Sequence, residues 1–317
     1  MAKMTINGLV ALAKSYVAAA KQAGTWNATT DNLYTAVDKI GKMIMLDGQF
    51  IDKLPELDGD ELPLGKTIEE YFIDLTLPEA YTNITTEGAK NEVPALPSVE
   101  ECAYNYTLGR EKIKTTVPYD NVERAALNQN DAANMIAKIL ERLGNSYEMF
   151  KFQAKKQLLG NAADKAVAAN LVTTIAVPSD TTTGEAFIKT IKGEVEAASF
   201  AHEGGLNGAL IGAAPELVLY IKKGVMPSIE VDTMAGAFNE ARLAIPARVK
   251  VVDDFGTMTN TNVFALLVDP RGIKLHRGYH AIRTATNADG DFVNYVDHSE
   301  HTGFISKNVY IKAFKAQ

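Results

Sequence analysis

The stretch NQNDAANMIAKILERLGNSYEMFKFQAKKQLLG, Asn128 to Gly160, decides how the rest of the chain is read. Ile136, Ile139, Leu140, Leu143, Tyr147, Phe150, Ala154 and Leu158 recur at three- and four-residue steps and make one apolar stripe, the pattern of an amphipathic helix. Asn128 or Asn130 is placed to cap its start, and Asp131 in the first turn suits the helix dipole. Gly160 follows the last stripe residue and is expected to end it. At about 1.5 Å per residue, roughly 30 residues span some 45 Å. A helix of that length needs a partner surface along its whole run.

Downstream, Phe187, Ile188, Ile191 and Val195 give a second amphipathic helix over Thr183 to Phe200. Gly204 to Gly208 reads as a loop, and Leu210 to Gly212 as a short strand. Pro215 is expected to start a brief helix through Leu217, Val218 and Ile221, ended by Gly224. Arg248 to Val252, Val263 to Val268, Ile273 to Leu275, Ala281 to Thr286, Phe292 to Val296 and Asn308 to Phe314 read as strands. Asp289-Gly290 between two of them is a hairpin-turn signal.

Upstream, Tyr71, Ile73, Leu75 and Leu77 alternate as in a half-buried strand. Tyr81 to Val99 has no period and is too long for an ordinary loop. Alternation resumes at Tyr104, and Ile113, Thr115 and Val117 mark one face. Two strands flanking a long polar tip predict an extended hairpin arm. Pro55 to Gly65 reads as turns, with Glu56, Asp58, Asp60 and Glu61 solvated. The first 50 residues predict two helices with narrow stripes, one of Ile6, Leu9, Val10, Val17 and Ala20, the other of Leu33, Val37, Ile40 and Ile44. Helices first and antiparallel strands later give the α+β class.

Composition narrows the function. At 46% hydrophobic and 22% charged, the chain of 317 residues can fill a core and is not a disordered one. Its formal charge of −7 argues against a dedicated nucleic-acid binder, since phosphate affinity comes from clustered Lys and Arg. No run reaches the roughly 20 apolar residues of a membrane span. Lys3, Lys14 and Lys21 punctuate the start, which does not read as a signal peptide. One cysteine, Cys102, excludes an internal disulfide and reads as an apolar filler in a strand.

A search for chemistry finds no assembled acid, base and nucleophile. Gly204-Gly205-Leu206-Asn207-Gly208 lacks the Gly-Lys-Ser/Thr ending of a phosphate loop. Placing Gly290 at the turn of a calcium loop puts Ala285 and Val296 at ligand positions, and neither can coordinate. His202, His276, His280, His298 and His301 cluster late, but without a metal-binding spacing they read as solvated or core-edge residues. Asp253-Asp254 reads as a polar strand end whose side chains point apart. No catalytic, cofactor or metal residue is assigned.

The order of elements and the local wording resemble one family. "GREKIKTTVPYDNVERAALNQ" (Gly109 to Gln129) resembles the passage where an extended arm enters the spine helix of tailed-phage major capsid proteins of the Hong Kong 97 type. "PELVLYIKKGVMPSIEVDTMAGAFN" (Pro215 to Asn239), "ARVKVVDDF" (Ala247 to Phe255) and "FALLVDPRGIKL" (Phe264 to Leu275) resemble its axial domain and exit strand. "DGDFVNYVDHSEHTGF" (Asp289 to Phe304) resembles its closing strands. The resemblance implies an N-terminal helical arm over 1–65, an extended hairpin arm over 66–118, a peripheral domain with the spine helix over 119–203 and 271–317, and an axial domain over 204–270.

It also implies a shell subunit located in the virion and assembled in the host cytoplasm, not an enzyme. Its partners would be copies of itself in hexamers and pentamers, a separate scaffolding protein and a portal. It would enclose double-stranded DNA without specific binding and have no membrane partner. The N-terminal helices are expected to remain in mature particles. Thr86, Glu87, Lys90, Glu92, Arg110 and Lys112 are the expected inter-subunit contacts. In one branch of the family a Lys of the arm crosslinks to an Asn of a neighbour, which would place Lys90, Lys112 or Lys114 opposite Asn294 or Asn308. Two other readings are an encapsulin-type compartment of the same fold and an unrelated α+β enzyme.

Overall fold

The computed structural model describes residues 11, 14–15, 18–19, 22, 52–62, 68–73, 99–104, 109–118, 120–121, 129–200, 202–203, 205–206, 210–211, 214, 216–226, 245–287 and 290–317. Most of the first 51 residues, the tip between 74 and 98, and Pro227 to Ala244 lie outside them. The chain is α+β and divides into two units, one of 1–65, 107–155 and 275–303, the other of 66–106, 156–274 and 304–317.

The dominant element is helix α1, Gln129–Ala168, of 40 residues. The predicted stripe is its buried face: Ile136, Leu143 and Leu159 are fully buried, and Ile139, Leu140, Tyr147 and Leu158 nearly so. Gly160 does not end it. A side chain there would meet the Phe255 carbonyl oxygen at 2.1 Å, so the glycine permits close approach of the loop after Val252. The end comes ten residues later, where Asn170 adopts φ 61°. The Leu171 amide donates to the Ala166 carbonyl and the Asn170 amide to that of Val167, the two bonds of a Schellman cap.

The first unit is built on a four-stranded sheet in the order β1-β11-β12-β4. Strand β1 is Asp58–Glu61, β4 is Gly109–Pro118, β11 is Ile273–Asn287 and β12 is Phe292–Ile305. β12 and β4 pair antiparallel over ten positions, from Phe292 opposite Pro118 to His301 opposite Gly109. β1 runs parallel to β11. The predicted turns over Pro55 to Gly65 are thus corrected: a 3-10 turn, Pro55–Leu57, leads into an edge strand. That strand has no apolar alternation to betray it, because most of its side chains are exposed. The short strands expected on either side of 278 are one strand, and β12 runs nine residues past Val296.

The second unit holds a five-stranded sheet, β5-β13-β10-β8-β9. Strand β5 is Val172–Ile175, β8 is Val218–Lys222, β9 is Arg248–Val252, β10 is Val263–Val268 and β13 is Ile311–Ala316. β10 lies between antiparallel β13 and β8, and all six of its residues are buried. β8 corrects the helix predicted after Pro215. Val218 to Ile221 are buried on both faces of the sheet, and a continuous apolar run carries neither period. Helix α2, Thr181–Ala198, is capped by Asp180 through a reciprocal pair of bonds with Thr183. Its Phe187, Ile188 and Ile191 join one core with Leu219, Phe264, Leu267 and Phe314. The Phe187 ring stands 5.5 Å from Phe264 and 5.7 Å, edge-on, from Phe314.

Strands β2, Ile68–Ile73, and β3, Val99–Tyr104, form a separate antiparallel pair. The strand that pairs with β2 is therefore β3 and not the run through Ile113 and Val117, which belongs to β4, while the expected tip lies outside the described residues. Glu100 and Glu101 interrupt the apolar alternation that would have marked β3. A two-stranded sheet of His202–Glu203 (β6) and Leu210–Ile211 (β7) completes the unit.

Gly160→Ala supplies a direct check on the helix. In an isolated helix the change would stabilise by about 1 kcal/mol. Here it is expected to destabilise by roughly 1–3 kcal/mol, because the new methyl overlaps a backbone oxygen. Urea unfolding of the variant should show the lower midpoint.

Candidate subunit interface

β4 is one of the two edge strands of its sheet among the described residues. Its Glu111, Lys112, Lys114, Thr116 and Pro118 are exposed, while Thr115 is buried. The Thr116 hydroxyl donates to Asn294 Oδ1 at 2.9 Å, and the Lys114 ammonium lies 5.6 Å from the centre of the Phe292 ring. These contacts to β12 hold the strand's register while its free edge remains polar.

Between β4 and the first half of α1 runs a groove of about 530 Å³. Asn134, Lys138 and Arg142 line it at four-residue spacing, so they share one helix face, and all three are exposed. Thr115, Thr116 and Asn121 line it from the other side. Two cations and no carboxylate stand among the described lining residues, on a chain whose formal charge is −7. Such a groove attracts acidic surfaces.

Of the expected contact residues, Thr86, Glu87, Lys90 and Glu92 lie outside the described residues. Arg110 and Lys112 stand on β4, in register with Glu300 and His298. Lys138 and Arg142 escaped the sequence reading, although their four-residue spacing on the predicted helix was the available signal. Asn294 is engaged by Thr116, and Asn308 is buried at 6% exposure.

Behind the sheet, charge is handled inside the protein. Lys155 of α1 is fully buried. Its ammonium donates to Asp52 Oδ2 and to the Leu54 carbonyl at 2.8 Å, and it pairs with Asp58 at 2.8 Å. Lys151, one turn earlier, reaches Asp58 at 3.4 Å and Glu148 at 3.5 Å. Glu61 pairs with Arg277. So Asp58 and Glu61, expected to be merely solvated, fasten the 52–62 segment to α1 and β11. No local pattern shows this, because the partners are far along the chain.

The same holds for Asp253 and Asp254 in the second unit. The strand ends at Val252, the backbone bends, and both carboxylates converge on Lys156 at 2.8 and 3.1 Å. Burial works against the Lys156 charge, but the hydrogen bonds with Asp253 and Asp254 outweigh it and hold the ammonium above its usual range. The Gly256 amide, with help from Lys156, holds Asp254 below the usual carboxylate range. Asp164 is likewise held low, because the amides of Thr259 and Asn260 outweigh its burial. These bonds tie the 253–260 loop to the last turns of α1. They fix structure and do not form a reaction centre.

The histidines divide in the same way. His276 Nδ1 is 3.2 Å from the Asp60 carbonyl oxygen, His280 is paired with Asp297, and His301 touches Tyr147. Among the described residues no three His, Cys, Asp or Glu side chains converge as metal ligands would. No described helix is long and apolar enough to cross a membrane.

Three comparisons bear on what such a surface is for. The sequence profile of the Phi29-like phage major capsid protein family matches residues 10–314. The chain is similar to the major capsid protein of Bacillus phage PZA, at 25% identity over 304 residues, covering 91% of this chain and 64% of that protein. It is similar to the major capsid protein of Bacillus phage B103, at 26% identity over 288 residues, covering 86% and 61%. The chain thus spans about three-fifths of the length of the curated relatives it matches.

In three dimensions it resembles a chain of the Staphylococcus phage Andhra capsid, with a TM-score of 0.61, 12% identity and 86% of each chain covered. It also resembles a chain of the bacteriophage PhiM1 mature capsid, with a TM-score of 0.54, 11% identity, and 86% and 90% covered. At such identity the likeness is one of fold, the capsid fold of tailed phages.

Lys155→Ala checks the buried ion network. It leaves Asp52, whose side chain is 7% exposed, without its cation, and is expected to cost roughly 3–5 kcal/mol. The paired change Lys155→Met with Asp52→Leu, which removes both charges, should cost much less. Denaturant titration of the two variants measures the difference.

Proposed function

Because this chain belongs to the Phi29-like phage major capsid protein family, we propose that it is a structural subunit that assembles with copies of itself into the head shell enclosing a phage genome. The family match along almost the whole chain carries this reading, and it favours a phage head over an encapsulin compartment or an enzyme. The role is mechanical and needs no catalytic residue or cofactor. What the subunit supplies is a fold rigid enough to hold its contact surfaces in register. In the shell its partners are other copies in hexamers and pentamers, with a separate scaffolding protein and a portal, and the DNA is enclosed without specific contacts.

The groove between β4 and α1 is the contact surface best supported by its chemistry. A second copy is its occupant in this reading, since a chain of formal charge −7 offers acidic surface to a groove with two cations. The pair β2–β3 with the tip between them is the extended arm, and Thr86, Glu87, Lys90 and Glu92 on that tip reach a neighbouring subunit. Arg110 and Lys112 on β4 belong to the receiving side. Each copy can then be modestly stable alone, because burial against neighbours adds the remainder.

Electron microscopy of the overproduced protein tests the assembly. Shells, tubes or capsomers are expected, and a monomer persisting across micromolar concentrations would refute the proposal. Lys138→Glu combined with Arg142→Glu should leave the circular dichroism spectrum unchanged and abolish particles. Deleting Glu87 to Val93 should likewise give a folded subunit that no longer closes shells. An unfolded product would place that segment in the core.

A further inference from the structure

The first unit buries a group of ionisable rings that shell building by itself does not require. Tyr147 of α1 stands between two imidazoles, its ring centre 4.9 Å from that of His280 on β11 and 5.5 Å from that of His301 on β12. Phe150 closes the far side, edge-on to His301 at 5.3 Å. His280 Nε2 lies 3.0 Å from Asp297 Oδ1 and 3.1 Å from Oδ2, and Asp297 is only 2% exposed. His301 is 8% exposed, and its Nε2 is 3.2 Å from the Tyr147 hydroxyl oxygen. Its other ring nitrogen, Nδ1, is buried without a hydrogen-bond partner among the described residues. A cavity of about 250 Å³ reaches this ring, walled by His301, Tyr147, Lys151, Arg277, Asp58 and Glu61.

A second proton on His301 would place a full charge between a tyrosine and a phenylalanine. Four described elements supply the ionisable groups around it. α1 brings Tyr147, Glu148 and Lys151, β1 brings Asp58 and Glu61, β11 brings Arg277 and His280, and β12 brings Asp297. Asp58 and Glu148 are engaged with Lys151, Glu61 with Arg277, and Asp297 with His280. None of these four carboxylates is left over to receive the new cation.

We infer that Tyr147, His280, His301 and Asp297 form an acid latch, which holds β12 to α1 while His301 is neutral and releases it when His301 takes up a proton through the cavity. Burial, reinforced by Lys151, His280 and Arg277, pushes the His301 imidazole down to about 4, with Asp297 pulling the other way. Burial first, and then Asp297 and Glu148, drive the Tyr147 hydroxyl well above its usual range, so it remains a neutral partner throughout.

The direction of the effect follows from linkage. The unfolded chain binds the His301 proton near the ordinary pKa of about 6.5 and the folded chain only near 4. The stability contributed by neutral His301 is therefore complete above about 6.5 and is lost as pH falls from there toward 4.

Hydrogen exchange read by mass spectrometry on the full chain tests the latch. Protection of the peptides spanning 136–151 and 292–303 should fall together as pH is lowered across that window. His301→Gln keeps a neutral side chain able to bond the Tyr147 hydroxyl, and should move the loss of protection down by about one pH unit or more. His298→Gln should not move it. Unchanged protection down to pH 4 in the wild-type chain would overturn the latch, as would a His301→Gln midpoint equal to wild type. Should His301→Gln fail to fold, exchange of the imidazole C–H in the wild-type chain decides the matter. A His301 titration at or above the ordinary histidine pKa overturns the inference, and one near 4 supports it.

Discussion

Both large sheets depend on strands supplied by the end of the described chain. β12 lies between β11 and β4, and β13 lies between β5 and β10. Neither sheet can close before the C-terminal segment is in place, so nearly all of its ladders join residues far apart in sequence. The Thr116–Asn294 bond, which fastens the β4–β12 ladder, spans 178 residues. Closing loops of that length costs conformational entropy before any contact repays it, and such topologies fold slowly. The long helix is the local counterweight. The backbone hydrogen bonds of α1 close within its own sequence, and its apolar face is buried along much of its length.

Adjacent lysines on that helix show how charge reinforces the arrangement. Lys155 and Lys156 are about 100° apart around the axis. The first serves Asp52, Leu54 and Asp58, and the second serves Asp253 and Asp254. Each gathers two carboxylates from a segment about a hundred residues away in sequence. Ion pairs of this kind add modestly to net stability, but breaking one side leaves buried charge unsatisfied, which makes the arrangement specific. For the proposed shell role, that specificity would count for more than raw stability, because it fixes the geometry of the surface.

The surface offers the complementary case. Among the described residues the groove beside β4 is lined by two cations and no carboxylate, whereas Lys151, Lys155, Lys156 and Arg277 are paired. Exposed Lys138 and Arg142 cost little while they face water and become selective when an acidic surface displaces that water. Interior charge positions the framework, and exposed charge chooses what lies against it.

Local periodicity made the amphipathic elements legible: the stripe of α1 and the shorter stripe of α2. The α+β class followed from these and the strand-like runs after them; the capsid likeness, and with it Arg110 and Lys112 as expected contacts, rested on the resemblance of the quoted stretches, and the structure places both residues on β4. Val218 to Ile221 read as a helix because Pro215 and Gly224 bracket them, and a strand buried on both faces has no alternation to overrule that reading, whereas Val263 to Val268, an apolar run without such brackets, reads as the strand it is. Gly160 looked like a helix end because the oxygen that requires a glycine belongs to Phe255. Asp58 read as solvated, Asp253 as a polar strand end and His301 as solvated or at the core edge, and none showed a partner, because Lys155, Lys156 and Tyr147 are brought near only by the fold. The sequence by itself determined which segments have one face for water and one for protein, since that depends on neighbours three or four residues away. Only the tertiary structure decided which charges are paired, which glycine is a contact and which imidazole is kept from water, because each rests on distances between residues far apart in the chain.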